Sequence, residues 1–409
     1  MKIAAICQYF VPEIGAPSAR ISELAREWVR QGHDVTVVTG LPNHPTGIVP
    51  PEYRGTWFRR ESLDGITVFR NWVFATPNEG FVKRTLGHLS FMVSTLLFTL
   101  PRARHFDVLV VSSPTFFVVI STWIMSRVWR IPYVFEVRDL WPGIFVELGI
   151  LKNRAIIGVL EAIEMFLYRG AAQVVVVTDA FGGILRQRGI AADRITTITN
   201  GVDVDAYQPA ARDTTLRREH GFGDAFVALY IGAHGISQAL SALLDAAAAL
   251  ADDPSIVVVF VGEGAEKKLL QARAAELGLR NVRFFPGQPK ARMSEWYATA
   301  DAVFVPLRNI PMFETFIPSK MFEVLAAERP IVGSVKGEAR DILERSGGAL
   351  LIDPEDAPAI AAAVRRLRAD PALGAALGAR GGAFVRAHYD RRILARRYLD
   401  LLARLVRRR

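Results

Sequence analysis

Short, unbroken apolar runs alternate with helix-like periodicities along the first half of the chain. The runs Lys2–Ile6, Asp34–Thr39, Ile66–Asn71, Asp107–Ser112, Tyr133–Val137, Gln173–Val177 and Ile195–Ile198 are mostly rich in Val and Ile. Runs of this length and composition predict parallel strands covered on both faces. Between the first two, Ser18–Gln31 puts Ile21, Leu24, Ala25, Trp28 and Val29 on one side of a helix. Gly32 then supplies a stop.

The pattern breaks after Asn200-Gly201, where residues 205–224 are polar and turn-rich and read as a linker. A second alternating set follows. Its strands are expected at Phe226–Ile231, Ile256–Val261, Val282–Phe285, Ala302–Val305, Pro330–Gly333 and Ala349–Ile352. Helical runs at Ala239–Ala251, Glu266–Leu277 and Asp356–Leu367 separate them. Two successive β/α sets predict an α/β protein of two doubly wound, Rossmann-like domains. The expected limits are 1–205, with 387–409 packing back on it, and 206–386. Ligands of such sheets sit beyond the carboxyl ends of the strands, here in a cleft between the domains.

Composition narrows the possibilities. At 409 residues the chain exceeds one small core, and 51% hydrophobic residues exclude a disordered protein. The single Cys7 excludes an internal disulfide, and its strand-like setting reads as a core thiol in a reducing compartment. Only five apolar residues separate Lys2 from Gln8, too few for a secretory signal, so a cytoplasmic protein is expected. Net charge is +9, and only eight of the 50 basic residues are Lys. A basic surface suits anionic lipid or nucleic acid; no nucleic-acid motif accompanies it, so nucleic acid is not expected. Residues 81–104 carry basic flanks around LSFMVSTLLFTL, which is too short to span a bilayer. That segment could lie on an anionic membrane surface, peripheral to the inner face of the cytoplasmic membrane, or form a buried helix.

Candidate chemistry gathers at the expected strand ends. In ETFIPSKMFEVLAAERP, residues 314–330, Pro318 marks the start of a helix carrying Ser319, Lys320 and, one turn on, Glu323. Backbone N–H groups, a hydroxyl and an amine suit a diphosphate, and a carboxylate set back from them suits ribose hydroxyls. A plain helix start with a surface Lys–Glu pair is the alternative. Gly15 lies in a turn after the first strand, outside any dinucleotide or ATP fingerprint. Arg138 could neutralise a phosphate or hold Asp139, and Asp139 could bind a sugar hydroxyl or cap a helix. Gly232, His234 and Gly235 form a small-residue loop in which His234 could donate to a phosphate or share a proton. Gly262 and Glu263 open the next such loop. Asp203-Val204-Asp205 reads as hinge structure rather than a metal motif, and no metal or cofactor is expected.

Together the loop at Gly15, the VRDLWP run, Asn200–Asp203, the GAHG loop, Gly262-Glu263-Gly264 and IPSKMFEVLAAERPIV resemble glycosyltransferase family 4. These are retaining enzymes of GT-B fold that use nucleotide sugars, and the resemblance spans nearly the whole chain. The last segment is similar to the bacterial subgroup that adds amino-deoxy sugars such as fucosamine to surface polysaccharides. The resemblance implies that Glu323 holds the ribose, that the backbone of Phe316, Ile317, Pro318, Ser319 and Lys320 meets the diphosphate and sugar, and that Phe285-Pro286 borders the base. Asn43 and His44 fall to the acceptor, expected to be a saccharide on polyprenyl diphosphate.

The chain also departs from the family pattern. Thr315 stands where many members have a first glutamate, and Ala233 and Gln238 lie near the places of an Arg and a Lys. Arg138 stands where many have His. The expected reaction is metal-independent transfer from a UDP-sugar, with Arg138, Asp139, His234 and Lys320 as catalytic candidates. A UDP-sugar epimerase of the same architecture and a non-catalytic sugar-nucleotide binding protein remain alternatives.

Overall fold

The computed structural model describes residues 1–13, 16–44, 46–76, 81–113, 115–143, 146, 151–212 and 214–407. They form two compact units, Met1–Thr199 with Arg392–Arg409, and Asn200–Arg391. The first holds strands β1 (Lys2–Ile6), β2 (Asp34–Gly40), β3 (Phe58–Leu63), β4 (Ile66–Asn71), β5 (Val108–Ser112), β6 (Tyr133–Val137), β7 (Gln173–Val176) and β8 (Ile195–Thr197). Their order across the sheet is β3-β4-β2-β1-β5-β6-β7-β8. Only the β3–β4 pair is antiparallel.

Seven of these strands match the expected runs to within a residue. The exception is β3, whose FRRESL offers no apolar run because an edge strand need bury little. Its signal was the turn instead. Asp64 and Gly65 both have positive φ, at 51° and 78°, and Leu63 pairs directly with Ile66. That is the two-residue hairpin an Asp-Gly pair favours.

One face of this sheet packs Ile3, Ala5, Val35, Val37, Val108 and Val110 against two helices. Ile21, Leu24 and Trp28 come from Ala16–Arg30, and Leu394, Tyr398 and Leu402 from Arg391–Arg407. Trp28 meets Tyr398 edge-on at 5.3 Å between ring centroids. Each such fully buried side chain contributes about 1.5–3 kcal/mol, enough to hold the C-terminal helix on this unit. The helix Phe81–Ala103 packs beside Val118–Trp129, with the Ser121 hydroxyl donating to the Met92 carbonyl and the Trp129 indole to Leu100.

The second unit is a six-stranded, wholly parallel sheet of order β11-β10-β9-β12-β13-β14. The strands are β9 (Phe226–Ile231), β10 (Ile256–Val261), β11 (Val282–Phe285), β12 (Ala302–Pro306), β13 (Ile331–Ser334) and β14 (Ala349–Ile352). Buried clusters line both faces. The expected linker is largely exposed but anchors in this core through a few buried side chains. Tyr207 and Leu216 are buried beside Trp296 and Tyr297, and the Arg217 side chain is 4% exposed against Asp301. Its polarity misled because an arginine bonded to backbone carbonyls and a carboxylate can be buried.

Both sheets reverse direction at a central strand. From β1 the chain moves to β2 on one side and later to β5 on the other; from β9 it moves to β10 and later to β12. Loops after such strands diverge and leave a crevice at the carboxyl edge.

Candidate active site

At the β9/β12 reversal two sequence-distant segments meet. Lys320, the first residue of the helix Lys320–Ala326, sends its side chain back to the end of β9. Its Nζ lies 4.0 Å from the centroid of the Tyr230 ring, and a Cβ on Gly232 would fall 2.5 Å from that nitrogen. Gly232, with a φ of 141° that side-chain-bearing residues rarely adopt, leaves that space to the amine. Nζ is buried and has no hydrogen-bond partner among the described residues. A buried ammonium without an acceptor is costly, so burial pulls the Lys320 pKa down to about 7, with Glu323 opposing the shift. The helix itself is seven residues long, so the charge at this edge comes from the amine more than from the helix end.

The neighbouring glycines have a different cause. A Cβ on Gly262 would lie 1.9 Å from the Gly232 carbonyl oxygen, and one on Gly264 would lie 2.3 Å from that of His234. The two loops therefore touch backbone to backbone. The His234 N–H donates to the Glu263 carbonyl at 2.8 Å, and the Glu266 N–H to the His234 carbonyl at 3.0 Å. The Gly235 N–H donates to Gln238. His234 is fully buried among the rings of Tyr230, Phe260 and Phe284. Burial, helped by Lys267, takes its pKa down to about 4. At neutral pH it is an uncharged packing group that adds no positive charge to the edge.

Glu323 Oε2 accepts from the Tyr297 hydroxyl at 2.8 Å, and Tyr207 also donates to this carboxylate. Burial raises its pKa while the two tyrosines hold it down. Pro318 and Ser319 close the first turn, their carbonyls accepting from Met321 and Phe322. The Phe316 and Ile317 side chains pack on the core, and the Phe316 N–H donates to the Phe313 carbonyl. The Thr315 hydroxyl is taken up by the Met312 carbonyl. Phe285 packs between His220 and Trp296, while Pro286 is exposed beside it. Lys267 Nζ binds the Gly262 carbonyl, Glu263 Oε1 and the Phe285 carbonyl, so it ties together the ends of β10 and β11. Its bond to Glu263 is the first cause of that carboxyl's lowered pKa.

The first unit's reversal holds Arg138, Asp139, Asn43 and His44. The Arg138 N–H donates to Ser113 Oγ, and one guanidinium nitrogen is buried without a partner among the described residues. Burial lowers the Arg138 pKa and raises that of Asp139, each opposing the other's shift. The backbone N–H groups of Asn43 and His44 both donate to Glu13 Oε1, at 2.9 and 2.8 Å. Asn43 Nδ2 donates to the Leu41 carbonyl, and the His44 ring sits 4.9 Å from that of Tyr9. Beneath them Arg20 pairs with Glu136 at 3.0 Å and caps the carbonyls of Ile198 and Thr199. Ser112 supplies a second bond to Glu136, and these partners pull its pKa below the usual value despite full burial. Cys7 is buried and its thiol pKa raised, a core thiol. Gly15 lies outside the described residues. Asp203 accepts from the Asp205 N–H in a local turn.

Sequence reading missed Arg20, Glu13, Tyr207, Tyr297 and Lys267. Only Lys267 left a trace, as an i, i+4 partner of Glu263. The others act through contacts between residues far apart in the chain.

Two doubly wound parallel sheets, each reversing at a central strand, make this a protein of GT-B fold. Residues 15–201 match the family described as Glycosyl transferase 4-like domain, and residues 212–382 that described as Glycosyl transferases group 1. The chain belongs to these glycosyltransferases. It is 25% identical to the Escherichia coli (strain K12) chain named colanic acid biosynthesis glycosyl transferase WcaI, over 90% of this chain and 92% of that one. It is 32% identical to D-inositol 3-phosphate glycosyltransferase of Thermomonospora curvata over 45% of each chain, so it spans about half of that relative. Anabaena HepE, solved with UDP-glucose, shares the fold at TM-score 0.74 and 18% identity, over 98% of this chain and 99% of that one. No helix among the described residues is long and apolar enough to cross a membrane.

Proposed function

We propose that this glycosyltransferase moves a sugar, of the N-acetylated amino-deoxy hexose type, from a UDP-sugar to a lipid-linked saccharide in bacterial surface polysaccharide synthesis. The observation that carries the donor half is the buried, unpartnered amine of Lys320 at the β9/β12 reversal. A dianionic diphosphate supplies the missing acceptor and restores the ammonium. Glu323, with one oxygen held by Tyr297, leaves acceptor capacity for ribose hydroxyls. The complex of HepE with UDP-glucose and the polysaccharide named for WcaI support the same reading. The family resemblance supports retention of configuration, while the reading of Asp203-Val204-Asp205 as hinge structure supports a metal-independent reaction and the basic flanks of residues 81–104 support a place on the cytoplasmic face of the membrane.

In this reaction the bond between the anomeric carbon and the diphosphate oxygen breaks, and its electron pair stays on the diphosphate. Lys320 stabilises the growing charge in a dry site, where a positioned cation acts most strongly. The acceptor oxygen bonds to the anomeric carbon on the same face, and its proton passes to the departing phosphate. Arg138 and Asp139, at the first unit's edge, are assigned to the acceptor side.

A panel of UDP-sugars tests the donor. A ligand that binds only the native state at a hundred times its Kd stabilises by about 2.7 kcal/mol, read as a rise in melting temperature. The expected result is stabilisation by a UDP-sugar, cut to about 0.4–1.4 kcal/mol in Lys320→Met at the same ligand concentration, and UDP release only when acceptor is added. Undiminished stabilisation in Lys320→Met overturns the site. Isomerised UDP-sugar formed without acceptor overturns the transfer.

A further inference from the structure

The helix Phe81–Ala103 buries hydroxyls beside Phe91 and exposes large apolar side chains. Its inner face carries hydroxyls: Ser94 donates to the Trp72 carbonyl, and Thr95 and Thr99 accept from Asn71 Nδ2. All three residues are buried. Its outer face carries Leu86, Val93 and Leu97, which are exposed, Leu97 by 65%. These three side chains line an apolar groove of about 500 Å³ whose opposite wall is Trp57, Trp72 and Phe74. Leu86 to Leu97 spans about 16 Å along the helix axis. Burying threonines while exposing leucines reverses the usual economy of an amphipathic helix, so the outer face is shaped for something other than water.

The helix that forms one wall of the groove carries charge of one sign only. The 23-residue helix contains no Asp or Glu. Lys83 is exposed one turn before Leu86. At the other end the Arg102 guanidinium lies 4.4 Å from the ring centroid of Phe58, which itself stacks on Phe98 of the groove wall. Arg60, two residues along β3 from Phe58, is on the same face of the strand and exposed. Two tryptophans at the mouth, their rings 5.2 Å apart, suit a boundary between hydrocarbon and water.

We propose that this groove binds the hydrocarbon chain of a lipid phosphate, with the phosphate held at the basic rim. The inference deepens the acceptor half of the proposed function by giving the lipid of the acceptor a seat on the first unit. A chain-shaped occupant suits an apolar lining that runs from Leu86 to Leu97 along the helix, and the basic ends select an anionic head over a neutral one. A bare bilayer surface would meet the outer leucines but leave Trp72, at the groove wall, without a role.

The test uses the full chain with no donor present, so it stands apart from the transferase reading. Farnesyl phosphate, kept below its micelle-forming concentration, is titrated by calorimetry. Saturable binding is expected, weakened at least tenfold by Leu97→Glu or Val93→Glu. Lys83→Glu with Arg60→Glu should weaken farnesyl phosphate several-fold and leave farnesol unchanged. Leu97 and Val93 are solvent-exposed, so melting temperature and UDP binding should hold in every variant. No saturable binding, or equal binding by Leu97→Glu, overturns the proposal. Binding to vesicles containing phosphatidylglycerol without binding to monomeric farnesyl phosphate also overturns it, in favour of adsorption to the bilayer.

Discussion

The carboxyl edges of the two sheets have the same topology and treat charge in opposite ways. In the first unit most buried charge is satisfied from within, although Arg138 keeps one buried nitrogen without a partner among the described residues. Arg20 and Glu136 pair with each other and with Ser112, Ile198 and Thr199, and Glu13 accepts three backbone N–H groups. In the second unit the Lys320 amine is buried with no hydrogen-bond partner among the described residues. A satisfied buried pair stiffens a scaffold, while an unsatisfied buried cation stores a preference for an anion from outside. The difference separates a framework that holds loops from a site that awaits a ligand.

The largest effect that would break this contrast lies in the first unit. Glu136→Ala leaves Arg20 buried without its carboxylate and should cost about 3–5 kcal/mol, the usual penalty for orphaning a buried charge. Urea unfolding measures it. A loss under 1 kcal/mol would mean the pair is not part of the framework. Lys320→Met should do the reverse, leaving stability equal or higher while weakening UDP binding roughly tenfold to a hundredfold, as expected for about 1.5–3 kcal/mol from a charged hydrogen bond. Calorimetry and thermal unfolding on the same variant read both.

The pH dependence sharpens the same point. With a free-enzyme pKa near 7, Lys320 is increasingly neutral above that pH, whereas bound diphosphate holds the proton on. Donor affinity should therefore fall with rising pH above about 7, up to tenfold per unit, with proton uptake on binding at pH 8. Calorimetry in buffers of different ionisation enthalpy detects the uptake, and Lys320→Met should abolish it. For stability the sign follows from the depressed pKa. Between about 7 and the unfolded value the unfolded chain binds the extra proton, so this group makes the free enzyme less stable as pH falls through that window and adds no further change below it. The smallest effect is Tyr297→Phe, which removes one donor from Glu323 and should cost about 0.5–1.5 kcal/mol, with a few-fold weaker UDP binding. An unchanged affinity would show that this tyrosine does not position the carboxylate for ribose.

Much of the architecture was legible along the chain. Parallel strands buried on both faces must be apolar throughout, so Phe226–Ile231 and Ile256–Val261 announce themselves. The strand β3 did not, because an edge strand buries little, and only Asp64-Gly65 betrayed it. The segment 205–224 looked like a linker because its burial depends on Asp301, far away in sequence, bonding Arg217. Lys320 and Glu323 could be picked out beside Pro318 by local spacing alone. Their tyrosine partners could not, since Tyr207 and Tyr297 lie in other segments.

By itself the sequence determined the two α/β sets, the strand ends where charge collects, and Lys320 as the cation worth watching. Those features are local: periodicity, turn chemistry and side-chain type act over a few residues. Only the tertiary structure decided that Gly232 makes room for the Lys320 amine, that His234 is a neutral core group, and that Gly262 and Gly264 serve loop-to-loop contact. These depend on which groups burial deprives of water and which distant partner replaces it, and that is settled only when the strands lie side by side.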